Sequence, residues 1–219
     1  MIISSIANSK GGVGKSTITM FLAAAIAKQK GKKVLIVDTD EQRTVTDIYE
    51  GEKAGGFNSL VTVEDMPPRK VLNYLQKYGS DFDVVFIDIP RVTAKGGDEV
   101  AAMLLSYCNS VIVPVLGTQV DLLSTIDFLK ILEQVKADRK ELDLSFSYST
   151  FINRMNRRTE NSMVENYLKS QKVKAMENNL QDLKLFTITS LTNSILDTKE
   201  GQRRFNDFFT EACKQLKIK

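Results

Sequence analysis

Short apolar runs alternate along this chain with longer stretches in which apolar residues recur every three or four positions. The runs "MIISSIA", "KKVLIVD", "FDVVFID", "SVIVPV", "LSFSYSTFI" and "LFTIT" read as buried strands, with a weaker candidate at "NSLVTV". Between them, "STITMFLAAAIAKQKG" sets Ile18, Phe21, Leu22, Ala25 and Ile26 at helical spacing ahead of Gly31, a C-terminal stop. "DLLSTIDFLKILEQVKA" and "ENSMVENYLKSQ" carry the same period. A strand that is apolar at nearly every position must be covered on both faces. The pattern therefore predicts an α/β fold, a mostly parallel sheet with helices on both faces. No internal repeat or low-complexity linker divides the sequence, so residues 1–219 are expected to form a single domain. Residues 50–68, with glycines at 51, 55 and 56 and prolines at 67 and 68, are expected to be an irregular surface excursion.

Directly behind the first strand stands "KGGVGKST", Lys10 to Thr17, and directly behind that begins the first helix. Strand, glycine-rich loop and helix in this order form a phosphate-binding loop, whose backbone N–H groups point inward at phosphate oxygens. Gly11, Gly12 and Gly14 let the backbone, with Val13 between them, close around a phosphate. Lys15 is the phosphate lysine, Ser16 the hydroxyl for Mg2+, and Thr17 follows it into the helix. The usual pattern has a further glycine where Ser9 stands, after Asn8. Lys10 is an additional cation at the front edge, and in a lone subunit it reads as a solvated lysine.

Three carboxylates fall where such a loop needs them. Asp38 and Asp40 alternate at the carboxyl end of the second strand, so both can reach the crevice where ligands lie in such sheets; an exposed acidic turn is the other reading. Asp88 closes the apolar run "VVFI", and a carboxylate ending a buried strand needs a reason such as Mg2+ coordination through water, or else a helix cap. The chain has no histidine, which excludes His-based acid–base catalysis and His-ligated metals. Phosphoryl transfer needs neither, since positioning and charge neutralisation do most of its work. Cys108 and Cys213 lack metal-binding spacing and read as buried or idle thiols. The longest apolar run, "MFLAAAIA", is too short to span a bilayer, and a soluble cytoplasmic protein is expected.

With these motifs in order, the chain resembles the ParA/MinD family of P-loop ATPases, whose deviant Walker A motif "KGGVGKST" matches. "VDTDEQ" resembles the family's switch segment, "FDVVFIDIP" its Walker B strand, and "VIVPV", with Pro114, the strand beyond. The resemblance implies ATP and Mg2+ as ligands, with Asp40 positioning or activating the attacking water and Asp38 and Asp88 near the metal with Ser16. It implies that Lys10 reaches across an ATP-dependent homodimer to the partner's phosphates, which makes Lys10, Lys15 and Asp40 the catalytic set. Asn153 and Arg154, in "FINRMNRR", occupy the place where the family commonly contacts adenine; a plain turn is the other reading. The short ParA-type partition ATPases are the nearer likeness. They imply slow, switch-type hydrolysis, non-specific DNA binding, a ParB-like stimulator protein and a nucleoid-associated location. Because the first strand begins almost at Met1, no N-terminal helix-turn-helix is expected.

Net charge is only +3, so any DNA-binding face must come from clustering. Arg157 and Arg158 begin a basic series that continues through Lys169, Lys172, Lys174, Lys199, Arg203, Arg204, Lys214, Lys217 and Lys219. Such residues on one face would hold DNA phosphates without reading sequence; interspersed acids such as Glu160, Glu165 and Glu177 give solvated helix faces as the alternative. In the last helix, Phe205, Phe208, Phe209, Ala212, Cys213 and Leu216 form one apolar stripe. The stripe reads as core-facing, against membrane attachment of the MinD kind. A biosynthetic enzyme of the dethiobiotin synthetase type is a further alternative; it would leave Lys10 unexplained. A reductase like the nitrogenase iron protein would need paired cysteines.

Overall fold

The structure, a computed structural model, describes residues 1–90, 97–155, 160–171, 173–187 and 189–219. Strands β1 (Ile2–Ile6), β2 (Val34–Asp38), β3 (Thr62–Asp65), β4 (Val84–Asp88), β5 (Ser110–Leu116) and β6 (Ser147–Asn153) form one parallel sheet in the order β3-β2-β4-β1-β5-β6. The helices are α1 (Lys15–Lys30), α2 (Thr44–Ala54), α3 (Val71–Tyr78), α4 (Gly97–Ser106), α5 (Gln119–Glu141), α6 (Glu160–Ser170) and α7 (Lys199–Gln215).

Alternation along each strand explains the apolar runs. Val34, Ile36, Val84, Phe86 and Ile112 face one buried layer, shared with α1 and α7. Leu35, Val37, Val85, Ile87, Val111 and Val113 face the other, shared with α3, α4, α5 and α6. Each strand is apolar on both sides because each side meets helices. Gly31 closes α1 in the left-handed conformation at φ 61°, the stop its position predicts.

The last helix settles its own ambiguity. Phe205, Phe208, Phe209, Ala212, Cys213 and Leu216 are all buried, and the Phe208 ring meets Phe151 of β6 edge-on with centroids 4.7 Å apart. The stripe is core, and among the described residues no helix is long and apolar enough to cross a membrane. Cys108 and Cys213 are both buried free thiols.

Two local expectations are corrected. "LFTIT" is not a strand in its described part: residues 184–187 form a 3-10 turn that sets Phe186 against both Phe21 and Phe205. An apolar run of this length suits a half-buried turn as well as a strand, and periodicity does not separate them. The outer edge of β6 is met instead by a single bridge, Thr150 with Ala175, and a second, Met155 with Gln181, follows just past the strand. Residues 50–68 are likewise more regular than expected. Helix α2 runs on to Ala54, and β3 pairs with β2 from Thr62 to Asp65, so the irregular part shrinks to residues 55–61 and 66–67. Val61 and Val63, both buried, give that edge strand its reason to dock.

Candidate functional site

The loop after β1 lies at the carboxyl end of a central strand, flanked by β4 and β5, where the chain order of the sheet reverses. Crevices form at such points. Gly12 and Gly14 adopt left-handed conformations at φ 74° and 94°, which side-chain-bearing residues rarely tolerate. At Gly14 a Cβ would also sit 2.5 Å from the Asn153 amide nitrogen, which donates to the Val13 carbonyl at 2.8 Å. Helix α1 has no capping side chain and no acidic residue in its first turn. Its leading N–H groups therefore remain aimed into the loop, an arrangement that suits an anion.

The loop is anchored on both sides. Asn8, 2% exposed, donates to the Pro114 carbonyl at 2.9 Å and to the Thr125 hydroxyl at 3.0 Å, while its own carbonyl accepts the Lys10 N–H at 3.2 Å. Ser9 donates to the Ser124 carbonyl at 3.1 Å. Pro114 is tolerated inside β5 because β1 pairs only as far as Ile112, and the proline carbonyl turns to Asn8. Lys15 is buried and donates to the Lys10 carbonyl at 3.2 Å. Lys10 is half-buried at the leading edge, and Gly11, Ser16 and Thr17 complete a partly accessible rim.

The three carboxylates occupy adjoining strand ends but differ in surroundings. Asp38 and Asp88 are direct partners across β2 and β4. Asp38 accepts from the Thr46 N–H at 3.0 Å, the Thr46 hydroxyl at 2.9 Å and the Asp40 N–H at 3.2 Å. Its oxygens thus hold the turn that follows β2. Asp40 is half-buried, and its carboxylate accepts the Gln42 N–H at 3.0 Å. Asp88 is 1% exposed, and neither of its oxygens accepts a hydrogen bond from a described residue. Burial pushes its carboxyl up to about 7; the nearby Ser16 hydroxyl and Lys15 draw it down, and Asp38 and Asp40 push it further up.

An unpartnered buried carboxylate costs free energy, and a hard cation relieves that cost. Asp88 and Ser16, both oxygen donors, fit Mg2+ with water between, and Asp38 stands behind them holding the turn. Among the described residues no group of three or more acidic or sulfur side chains is set to hold a metal. Bound there, Mg2+ would neutralise phosphate charge.

Beyond the loop lies a pocket of about 280 Å³ lined by Gly14, Thr17, Asn153, Arg154, Asp182 and Phe186, among others. Asn153 and Arg154 thus share one pocket with the phosphate loop, and Arg154 sits there in a left-handed conformation at φ 54°. The contribution of residues 181–187 was missed, because that stretch carries no motif and was read in part as a strand. Asn8, Ser124, Thr125 and Thr46 were also missed as supports; the only sequence signal was a polar residue directly following an apolar strand.

Among the described residues, members of the basic series stand beside acids. Arg203 and Arg204 both pair with Glu200, at 2.7 and 3.0 Å, and Arg204 also donates to Gln181 at 3.0 Å. Lys174 and Lys214 line a hollow that also holds Glu177, Asp207 and Glu211. Lys217 is exposed, while Arg157, Arg158 and Lys172 lie outside the described residues.

Fold and loop together define a P-loop nucleotide-binding α/β protein. The family model for the CobQ/CobB/MinD/ParA nucleotide binding domain matches residues 4–191, and the chain belongs to this family. Among individual proteins it is 29% identical, over 160 residues, to the chromosome-partitioning ATPase Soj of Thermus thermophilus. That match takes in 60% of this chain and 61% of Soj, so it leaves more than a third of the relative's length unaccounted for. Among solved structures, the ATP complex of Cyanothece McdA superposes with a TM-score of 0.75 at 17% identity, covering 100% of this chain and 97% of that one. Cobyrinic acid a,c-diamide synthase from Mycobacterium smegmatis, with an ATP analog and magnesium, gives a TM-score of 0.71 at 18% identity, covering 99% and 96%. At such identities these structures bear on the fold alone.

Proposed function

We propose that this protein is a ParA-like ATPase that dimerises when it binds ATP and Mg2+, holds DNA non-specifically, and positions a DNA cargo. Hydrolysis then releases the dimer. The observation that carries this reading is the placement of Asp88: a buried carboxylate with two unpartnered oxygens beside Ser16 and Lys15, at the mouth of a loop ready for phosphate. Turnover is expected to be slow and switch-like, with the half-buried Asp40 assigned to orient the attacking water. Lys10, on the loop's leading edge, is assigned to the partner subunit's phosphates, so that the γ-phosphate gates association. Asn153 and Arg154 are assigned to the adenine side. DNA contact is assigned to Arg157, Arg158, Arg203, Arg204, Lys214 and Lys217. A ParB-like protein is the expected stimulator and the nucleoid the expected location. The burial of the α7 stripe disfavours a membrane-attached relative of MinD.

The test is co-sedimentation with random-sequence DNA and with anionic liposomes, each with ATP, ADP or no nucleotide. DNA binding that requires ATP and disappears in Lys15→Ala supports partition, whereas liposome binding alone overturns it. In size-exclusion runs with ATP, Lys10→Ala should bind nucleotide yet stay monomeric; normal dimerisation would remove its role across the interface.

A further inference from the structure

The turn that carries Asp40 is fastened at its start by strong hydrogen bonds. Thr39 donates both its N–H, at 3.1 Å, and its hydroxyl, at 2.7 Å, to the Asp88 carbonyl, and Asp38 holds the Asp40 N–H. At its far end the turn closes on Arg43, whose N–H donates to the Asp40 carbonyl at 2.9 Å. Arg43 is not a glycine, yet it stands in the left-handed conformation at φ 50°, ψ 30° immediately before α2. A residue with a Cβ holds that shape only when its surroundings impose it.

What imposes it is visible in the side chain. The guanidinium of Arg43 pairs with Asp65, the last residue of β3, and also reaches Glu50 at 3.2 Å and Asp47 at 3.6 Å. Glu50 and Asp47 are well exposed, with side chains 64% and 67% accessible, whereas Asp65 is 33% accessible and belongs to the sheet. Asp65 stands opposite Asp38 in the β2–β3 register, and the Met66 N–H donates to the Asp38 carbonyl at 3.1 Å. The chain therefore closes a ring, from Asp38 through the Asp40 turn to Arg43, across to Asp65, and back along the strand pairing to Asp38. Exposed ion pairs contribute little to stability, but this one joins a catalytic turn to a rigid strand end.

We infer that Arg43, tethered to Asp65, is a positioning residue that holds Asp40 in the orientation its work on the attacking water requires. The inference rests on the reading of Asp40 given above. Neither Arg43 nor Asp65 lines the pocket beside the phosphate loop; acting through the turn, their loss should lower turnover and leave ATP affinity intact.

The experiment compares single-turnover ATP hydrolysis, ATP affinity and amide hydrogen exchange across residues 38–46 in wild type and a small set of variants. Asp65→Asn and Arg43→Gly should each slow hydrolysis about tenfold, a fraction of what a misplaced catalytic group can lose, with ATP affinity within about twofold of wild type. Arg43→Gly relieves the left-handed backbone while removing the tether, so wild-type turnover in that variant would show that backbone shape alone matters and overturn the proposal. Asp65→Glu, which keeps a carboxylate, should recover most of the rate. Glu50→Gln should change it less than twofold, and a loss there equal to that of Asp65→Asn would refute the ring.

Exchange provides a readout independent of turnover. The amides of Gln42 and Arg43 should exchange at least tenfold faster in Asp65→Asn, while that of Thr46, held by Asp38, stays protected; unchanged exchange at Gln42 and Arg43 overturns the tether. Asp40→Ala separates the two levels. Turnover that survives in Asp40→Ala refutes the assignment of Asp40, whereas turnover lost there but kept in Asp65→Asn refutes the tether alone.

Discussion

The phosphate loop and the last third of the chain both present lysines and arginines, yet they hold them in different ways. Lys15 is buried against the carbonyl of Lys10, close enough to Asp88 to act on its carboxyl, and the loop around it is fixed by Asn8, Ser9 and Asn153. Its position is determined by backbone and by buried hydrogen bonds, so its charge is delivered to one point. In α7, by contrast, Arg203 and Arg204 converge on the single carboxylate of Glu200, and Lys214 shares a hollow with Glu211 and Asp207. Those cations are partly neutralised before any partner arrives. A count of charges along a sequence is therefore a poor guide to the field a surface offers, whereas a cation set in a strand–loop–helix turn keeps its meaning.

Substitutions can break this comparison, beginning with the largest effect. In α7 the strongly determined positions should be apolar: Phe208→Ala should destabilise the fold by about 3–5 kcal/mol in chemical denaturation. A loss under 1 kcal/mol would return the helix to the surface. In the loop, Gly14→Ala should cost about 2–3 kcal/mol, from the left-handed backbone and the displaced Asn153 amide, and should abolish nucleotide binding in calorimetry. Asp88→Asn should move stability and function in opposite directions. Without a buried charge the ligand-free protein should gain about 1–2 kcal/mol, while the magnesium-dependent part of ATP binding, read with and without EDTA, disappears. The smallest effect tests the basic region. Glu200→Gln removes the negative charge shared by two arginines and should strengthen binding to random-sequence DNA about two- to fivefold and steepen its salt dependence. No change in either would remove α7 from the DNA face.

Legibility in the sequence followed the range of the interactions. The strands β1, β2, β4, β5 and β6 and the helix α1 were readable because their apolar patterns are local consequences of burial on both faces. Lys15, Ser16 and Asp88 can be singled out for a similar reason: the first two stand a set distance past β1 and Asp88 ends β4. The segment 184–187 departs from the strand pattern because Phe186, half-buried, packs on Phe21 and Phe205, partners not adjacent in the chain. The edge strand β3 was only weakly legible, as "NSLVTV", and it lies further along, at Thr62–Asp65, where its pairing with β2 fixes its bounds.

By itself the sequence determined a parallel α/β sheet and a phosphate loop at its centre, because strand period, glycine placement and the residues at strand ends are set within a few positions of one another. Tertiary structure decided what closes around that loop. The pocket wall at residues 181–187, the supports from Ser124 and Thr125, and the ring through Arg43 and Asp65 all join residues distant in sequence, and only folding brings them within hydrogen-bonding reach. It also decided which cations meet acids first, since side chains on neighbouring helical turns pair according to geometry that composition does not contain.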